Sequence, residues 1–289
     1  FEITVENPRL WYPVGYGSQE LYNVAFILKN QNREQDRIDC RFGIRTVTKR
    51  RMPRQRKTDT PLCFAVNGKE VFLKGSDLVP MDVFPASITE KRYRDMLEKV
   101  VDSNQNLVRV WGGGLIEKES FYAICDELGI LVWQDFPTCC YTLPETKEYI
   151  ALAKAEVTDT VKRLRSHPCI LLWCGGNELY VDWSRIKPQA EQDKALYDLV
   201  SNQVINFNPE TFFAGTPKDS AVLKEMEQIC AQYDGSVPFH ISTPLEGEGE
   251  IHGPWGYDLA SGDYRYRFEK SFYDYWNNIN GCLISEAGV

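Results

Sequence analysis

The chain has 289 residues, 43% of them hydrophobic and 26% charged, with a formal net charge of −8. Such a composition is ordinary for a globular protein, and the length holds one large domain or one large and one small. The acidic balance supplies no basic field to neutralise phosphates and argues against a nucleic-acid partner; no apolar run approaches the ~20 residues of a membrane span, so no membrane partner is expected.

Residues 1 to about 60 read as β structure. Phe1, Ile3 and Val5 alternate with polar residues, and the run from Leu21 to Leu28 is a second strand candidate. The polar run Lys29 to Asp36 reads as a hairpin-like loop, and Cys40 to Val47 as a third strand. The basic cluster from Lys49 to Lys57 reads as a solvated connector. Three strands are too few for a proper sandwich core, so this segment is expected to be part of a β domain.

After Thr60 the pattern changes. Phe64 to Leu73 is a hairpin with an Asn67-Gly68 turn, leading to Lys74-Gly75-Ser76-Asp77, a strand end with a carboxylate. Strands then alternate with amphipathic helices. Ser87-Ile88-Thr89-Glu90 fits a capping box before a helix carrying Tyr93, Met96, Leu97, Val100 and Val101 on one face. The strand Leu107 to Trp111 ends at three glycines, and a helix with Phe121, Ile124, Cys125 and Leu128 ends at Gly129. Ile130 to Trp133 runs into Gln134-Asp135, and a long helix from Ile150 closes at His167-Pro168. The strand Ile170 to Cys174 then delivers Asn177-Glu178 past two glycines. A helix over 196–207, strands at 211–214 and 249–252, a helix over 268–276 and a last strand into Glu286 complete the reading. This alternation predicts a parallel sheet with covering helices, the α/β class and a (β/α)8 TIM-type barrel, one strand short of the usual eight. The last βα unit is therefore expected to be missing, and turnover by the 289-residue chain alone to be weak or absent. The expected division is 1–60, a partial β-sandwich with connector, and 61–289, the barrel.

Strand ends in such barrels carry the chemistry. Here they offer Asp77, Trp111, Gln134, Asp135, Asn177, Glu178, His252, Trp255 and Glu286. Acids and amides that bind hydroxyls, with tryptophans that stack on sugar rings, make a carbohydrate pocket. Two strand-end glutamates are what glycoside hydrolysis needs. His167, His240 and His252 lack the spacing of a zinc site, and no metal or other cofactor is expected. The nine cysteines form no Cys-x-x-Cys pair, and Cys125, Cys174 and Cys282 sit in apolar runs; the reading leans to a reducing, cytoplasmic compartment.

Several motifs resemble glycoside hydrolase family 2. Asn7-Pro8-x-Leu10-Trp11-x-Pro13-x-Gly15-Tyr16-Gly17, then Leu21-Tyr22 and Phe42-Gly43-Ile44-Arg45, look like its second immunoglobulin-like domain. Asn67-Gly68-Lys69-x-x-Phe72-Leu73-Lys74-Gly75 resembles the entry to its barrel. Val110-Trp111-Gly112-Gly113-Gly114, Cys125-Asp126-x-x-Gly129, Val132-Trp133-Gln134-Asp135-Phe136 and Trp173-Cys174-Gly175-x-Asn177-Glu178 look most like β-mannosidases. The resemblance implies a retaining exo-glycosidase acting on an oligosaccharide or glycoside. Glu178 would be the acid/base, Asn177 the contact to the 2-hydroxyl, and Glu286 the nucleophile; Trp111 would line the −1 subsite. Asp77, Trp133, Asp135, His252 and Trp255 are further substrate-binding candidates. Two departures bear on the sugar: Gly75-Ser76-Asp77-Leu78 stands where the family often reads Gly-Ala-Asn-Trp, and Gly176 where β-mannosidases often carry Asn. A pocket carboxylate would favour an amino sugar, so a β-glucosaminide competes, alongside a β-galactoside or β-glucuronide. A non-catalytic carbohydrate-binding barrel is the rival outside enzymes, and a retaining site requires the two carboxyls ~5–5.5 Å apart.

Overall fold

The computed structural model describes residues 3–51, 55–141, 143–179, 217–245, 249–255 and 283–288. Five parallel strands lie side by side in chain order: β6 (Gly75–Leu78), β7 (Leu107–Val110), β8 (Leu131–Asp135), β9 (Ile170–Cys174) and β10 (Phe239–His240). Between them run α1 (Glu90–Asp102), α2 (Glu119–Leu128), α3 (Lys147–Leu164) and, before β10, α4 (Ala221–Tyr233). Every residue of β7, β8 and β9 is buried. Strands covered on both faces need no polar alternation, which is why they read as continuous apolar runs. Because all five are parallel, their C-terminal ends share one side, where Asp77, Trp111, Asp135 and the turn after Cys174 gather. A separate parallel pair, β11 (Glu250–Trp255) and β12 (Leu283–Gly288), sets His252 opposite Glu286.

The helix signals act as sequence chemistry requires. Thr89 caps α1, its hydroxyl accepting from Arg92 N–H at 3.2 Å. The box was placed two residues early: Pro85–Ser87 forms a single 3-10 turn before the cap. Gly129 ends α2 at φ 76°, a left-handed position that glycine fills without strain. Ser220 caps α4, whose buried Val222, Leu223, Met226, Ile229 and Cys230 follow helical spacing. Neither α4 nor the two-residue β10 was anticipated. The expected helices over 196–207 and 268–276 and the strand at 211–214 lie outside the described residues.

The N-terminal part holds a hairpin, β1 (Tyr22–Asn30) with β2 (Arg33–Phe42), and a three-stranded antiparallel sheet, β3 (Val47–Arg50), β4 (Cys63–Val66) and β5 (Lys69–Val71). The run from Lys29 to Asp36 is strand rather than loop, because Gln31 and Asn32, at φ 47° and 65°, make the whole turn. Both strands are largely exposed, so polar side chains suit either face. Lys49 belongs to β3 and is no solvated connector. Its ammonium lies 3.3 Å from Phe239 O and 3.2 Å from His240 Nδ1, and burial pushes its pKa down to about 8.

This part is docked on the parallel sheet. Trp11 is fully buried and donates from Nε1 to Asp126 O at 2.8 Å, while Val14 N–H reaches Gly129 O at 2.8 Å. Arg45 donates to Pro168 O at 3.1 Å and Ile170 O at 3.0 Å, satisfying carbonyls at the start of β9. Removing a buried Trp of this kind costs about 3–5 kcal/mol.

Candidate active site

The site grows from the sheet's C-terminal edge. Beyond β9 the chain continues as a short ladder: Asn177 N–H donates to Thr138 O at 2.9 Å, Cys140 N–H to Asn177 O at 2.8 Å, and Glu178 N–H to Thr243 O at 2.6 Å. Gly176 allows this path. Its φ is 150°, and a Cβ there would meet Thr138 Oγ1 at 2.0 Å. In this backbone conformation any side chain at position 176 is strained, and the Thr138 side chain would have to give way to it. Glu178 itself sits at φ 46°, uncommon for a residue with a side chain, and this turns its carboxylate out of the ladder.

Glu178 and Glu286 come together. Glu178 Oε1 lies 2.8 Å from His252 Nδ1, and Glu286 Oε2 lies 3.6 Å from the same nitrogen. One oxygen of each carboxylate and a His252 nitrogen fall within 4.8 Å of one another. Both acids are partly exposed, with 31% and 19% of their side chains open.

Beneath them is Arg109, 2% exposed. It donates to Asp135 at 2.8 and 3.5 Å, to Asn177 Oδ1 at 2.6 Å, to Ser285 O at 3.1 Å and to Glu286 Oε2 at 3.3 Å; Asp77 is 3.7 Å away. Asp135 also accepts from Gly112 N–H at 3.0 Å and from Trp133 Nε1–H at 2.9 Å. Trp133 and Asp135 were expected to line the pocket. The structure buries both, 2% and 1% exposed, as the frame that holds Arg109. Asp77 is on the rim, and Trp111 is half-buried with an Nε1–H that has no partner among the described residues. The Trp255 side chain lies outside the described residues.

His252 is held from behind. Glu250, 3% exposed, accepts from Thr243 Oγ1–H at 2.6 Å, His240 Nε2–H at 2.8 Å and Leu245 N–H at 2.9 Å. Burial works against its charge, but the His240 imidazole and these donors hold its pKa down to about 2. Thr243 Oγ1 also lies 2.8 Å from Ser285 Oγ and 3.1 Å from His252 Nε2, which ties both residues to the buried Glu250 carboxylate. The hydrogen bond from His252 draws the Glu178 pKa below the ordinary range, whereas burial pushes that of Glu286 up. Burial also lifts Asp77, to about 6, despite Arg109.

Among the described residues, two groupings have the donor types of a metal site: Glu178, His252 and Glu286, and the buried Asp126, His167 and Cys169. Neither has the short spacing a motif search recognises. In the first, Arg109 already lies 3.3 Å from Glu286, and its fixed positive charge repels a second cation.

Comparison with known proteins places the chain. Residues 1–45 match the model of glycosyl hydrolases family 2. A beta-mannosidase B of Aspergillus fumigatus is 43% identical across 99% of this chain and 32% of its own length. The beta-mannosidase of Bos taurus is 35% identical across 92% of this chain and 29% of its own. The chain belongs to glycosyl hydrolase family 2. Among solved structures, a beta-D-mannosidase from Dictyoglomus thermophilum superposes with a TM-score of 0.74 at 29% identity, covering 98% of this chain and 32% of that one. An exo-chitosanase of Amycolatopsis orientalis, crystallised with PNP-beta-D-glucosamine, matches at a TM-score of 0.53 and 25% identity over 67% of this chain and 23% of that one. The family 2 chain thus spans about a third of the length of the relatives it matches.

In this family 2 chain, Arg109, Thr243 and Glu250 were absent from the expected site. A lone arginine inside Leu107–Trp111 was the available signal, because a charge in a fully buried strand demands partners. Thr243 and Glu250 carried none: a threonine and a glutamate in a glycine- and proline-rich stretch read as ordinary loop residues.

Proposed function

We propose that this chain carries the catalytic centre of a retaining β-glycosidase acting on β-mannosides, with Glu178 as acid/base and Glu286 as nucleophile. One observation carries the reading: the two carboxylates, from distant strand ends, meet with His252 inside 4.8 Å. Inversion needs ~6.5–9.5 Å between carboxyls to seat a water, while retention works at ~5–5.5 Å. In the same reading the five-stranded sheet and the β11–β12 pair belong to one (β/α)8 barrel, and the β1–β2 hairpin to an immunoglobulin-like sandwich. The Dictyoglomus thermophilum likeness over 98% of the chain supports the common architecture.

Glu286 attacks the anomeric carbon as Glu178 donates its proton to the leaving oxygen. Water deprotonated by Glu178 then hydrolyses the glycosyl-enzyme. Arg109, 3.3 Å from Glu286 Oε2, opposes the burial that raises the Glu286 pKa, and it orients Asn177, whose carboxamide stands beside the acid to meet the 2-hydroxyl; Trp111 is the neighbouring indole, its buried Nε1–H without a partner among the described residues. The first step needs Glu178 protonated and Glu286 charged, opposite to the direction each takes in the unliganded site. A bound glycoside has to displace the 2.8 Å contact between His252 Nδ1 and Glu178 Oε1, which favours the Glu178 carboxylate, before Glu178 takes up its proton.

Long incubation with 2-deoxy-2-fluoro-β-mannosyl fluoride, followed by peptide mass mapping, tests this. The expected product is a single fluoroglycosyl ester on Glu286, absent in Glu286→Gln. A label on any other residue, or none while an anomer-inverted product accumulates from p-nitrophenyl β-mannoside, overturns it.

A further inference from the structure

Cys139 and Cys140 take no part in the steps above, yet they stand beside Glu178 and Asn177. They follow one another in the chain, and their Sγ atoms are 3.1 Å apart. In extended backbone, neighbouring side chains point to opposite faces. Cys140 breaks that rule with φ 59°, in the left-handed region, and the two thiols end on the same side. The ladder fixes the turn from below: Cys140 N–H donates to Asn177 O at 2.8 Å, and Cys139 pairs with Asn177 as a parallel bridge. The thiols are accessible, Cys139 half-buried and Cys140 exposed. Elsewhere in the described chain no pair compares. Cys125, Cys169, Cys174 and Cys230 are buried, while Cys40 and Cys63 lie on different sheets.

We propose that Cys139 and Cys140 form a two-thiol chelating site for trivalent arsenic beside the Glu178 carboxylate. Thiolates select soft ions, and two donors already held side by side make the second bond an intramolecular event. The reaction balances without a redox partner. A hydrated arsenoxide, R–As(OH)2, forms two As–S bonds and loses two As–O bonds, and each oxygen leaves as water with one thiol proton. One thiol attacks first, helped to ionise by the hydrogen bond its neighbour donates across 3.1 Å and by Asn177 Nδ2–H, 3.8 Å from Cys139 Sγ and 3.6 Å from Cys140 Sγ; the second closes the ring once arsenic is attached. The bound group covers Asn177 Nδ2 and Glu178 Oε2, each 3.6 Å from Cys140 Sγ. That it would also block glycoside entry rests on the function proposed above; the chelation itself does not, and the test reads chelation alone.

The native chain is treated with one equivalent of phenylarsine oxide, challenged with excess 2-mercaptoethanol, and mapped by mass spectrometry. The expected result is one phenylarsenic bridging Cys139 and Cys140, retained against the monothiol and released by 2,3-dimercaptopropanol. Cys139→Ser and Cys140→Ser should each weaken retention by about a hundredfold or more, since one thiol loses the chelate advantage. Phenylarsenic found on other cysteines of the unaltered chain overturns the proposal, and so does undiminished retention in either variant. Because the mapping is done on the unaltered chain, a variant that fails to fold leaves the decision intact.

Discussion

Replacing Arg109 with Met keeps most of the side chain's apolar stem and deletes its charge. What remains is the Asp135 carboxylate, 1% exposed, with Gly112 N–H and Trp133 Nε1–H as its remaining donors among the described residues. Breaking a buried ion pair by removing one partner costs about 3–5 kcal/mol, because the other charge is left uncompensated. For a chain of this size each kcal/mol moves Tm by about 2–4 °C, so the expected drop is about 6–20 °C. The check is a urea titration followed by tryptophan fluorescence, backed by a thermal melt. Arg109→Met should move the midpoint with an unchanged slope. Arg109→Met/Asp135→Asn should recover part of the loss, giving a coupling of about 0.5–3 kcal/mol between the two sites. A loss below about 1 kcal/mol for Arg109→Met, or strict additivity in the double variant, would refute the view that Asp135 exists to hold Arg109.

Three further outcomes are expected. His167 is buried between Asp126 at 2.6 Å and Glu119 at 2.7 Å; burial opposes its charge, but the two carboxylates outweigh that and raise its pKa. The stability it contributes is therefore complete below its unfolded pKa of about 6.5 and is lost as pH rises through the higher folded value; in stability–pH curves, His167→Gln should lie below the parent at pH 6 and approach it at higher pH, and parallel curves would contradict this. Asp77, lifted by burial to about 6, gives up its proton later when folded than when unfolded, so it makes stability fall between about pH 4 and pH 6; Asp77→Asn should flatten that slope in denaturant midpoints taken across the range, and an unaltered slope would count against the burial. Gly176→Ala should cost at least roughly 1–3 kcal/mol from backbone strain, and more where its Cβ meets Thr138; a melt equal to that of the parent would show that the ladder relaxes freely.

The sequence exposed those parts of the site that chain order alone can signal. Glu178 and Glu286 each follow an apolar strand and so announce themselves. Their shared partner, His252, was placed near the pocket, but its link to Thr243 and Glu250 spans three segments and has no local pattern. Trp133 and Asp135 misled for a related reason. In strands buried on both faces, composition does not mark where the solvent-facing end begins, so Trp-Gln-Asp at the end of β8 looked like a pocket wall and is interior framing. Hydrophobic spacing found α1, α2 and α3 because each has a long stripe, and it passed over β10 because two residues carry no period. The hairpin β1–β2 was shortened in the reading because exposed strands tolerate polar residues on both faces.

The placement of β3 bears on how the molecule can be divided. A boundary at residue 60, natural from composition, would cut between β3 and β4, which are hydrogen-bonded neighbours. A piece starting there would lose Lys49 from beside His240, Arg45 from the carbonyls of Pro168 and Ile170, and the indole that fills the slot above Asp126. The N-terminal segment is therefore masonry for the far end of the sheet, and a separately expressed parallel sheet would carry an open wound where Trp11 belongs.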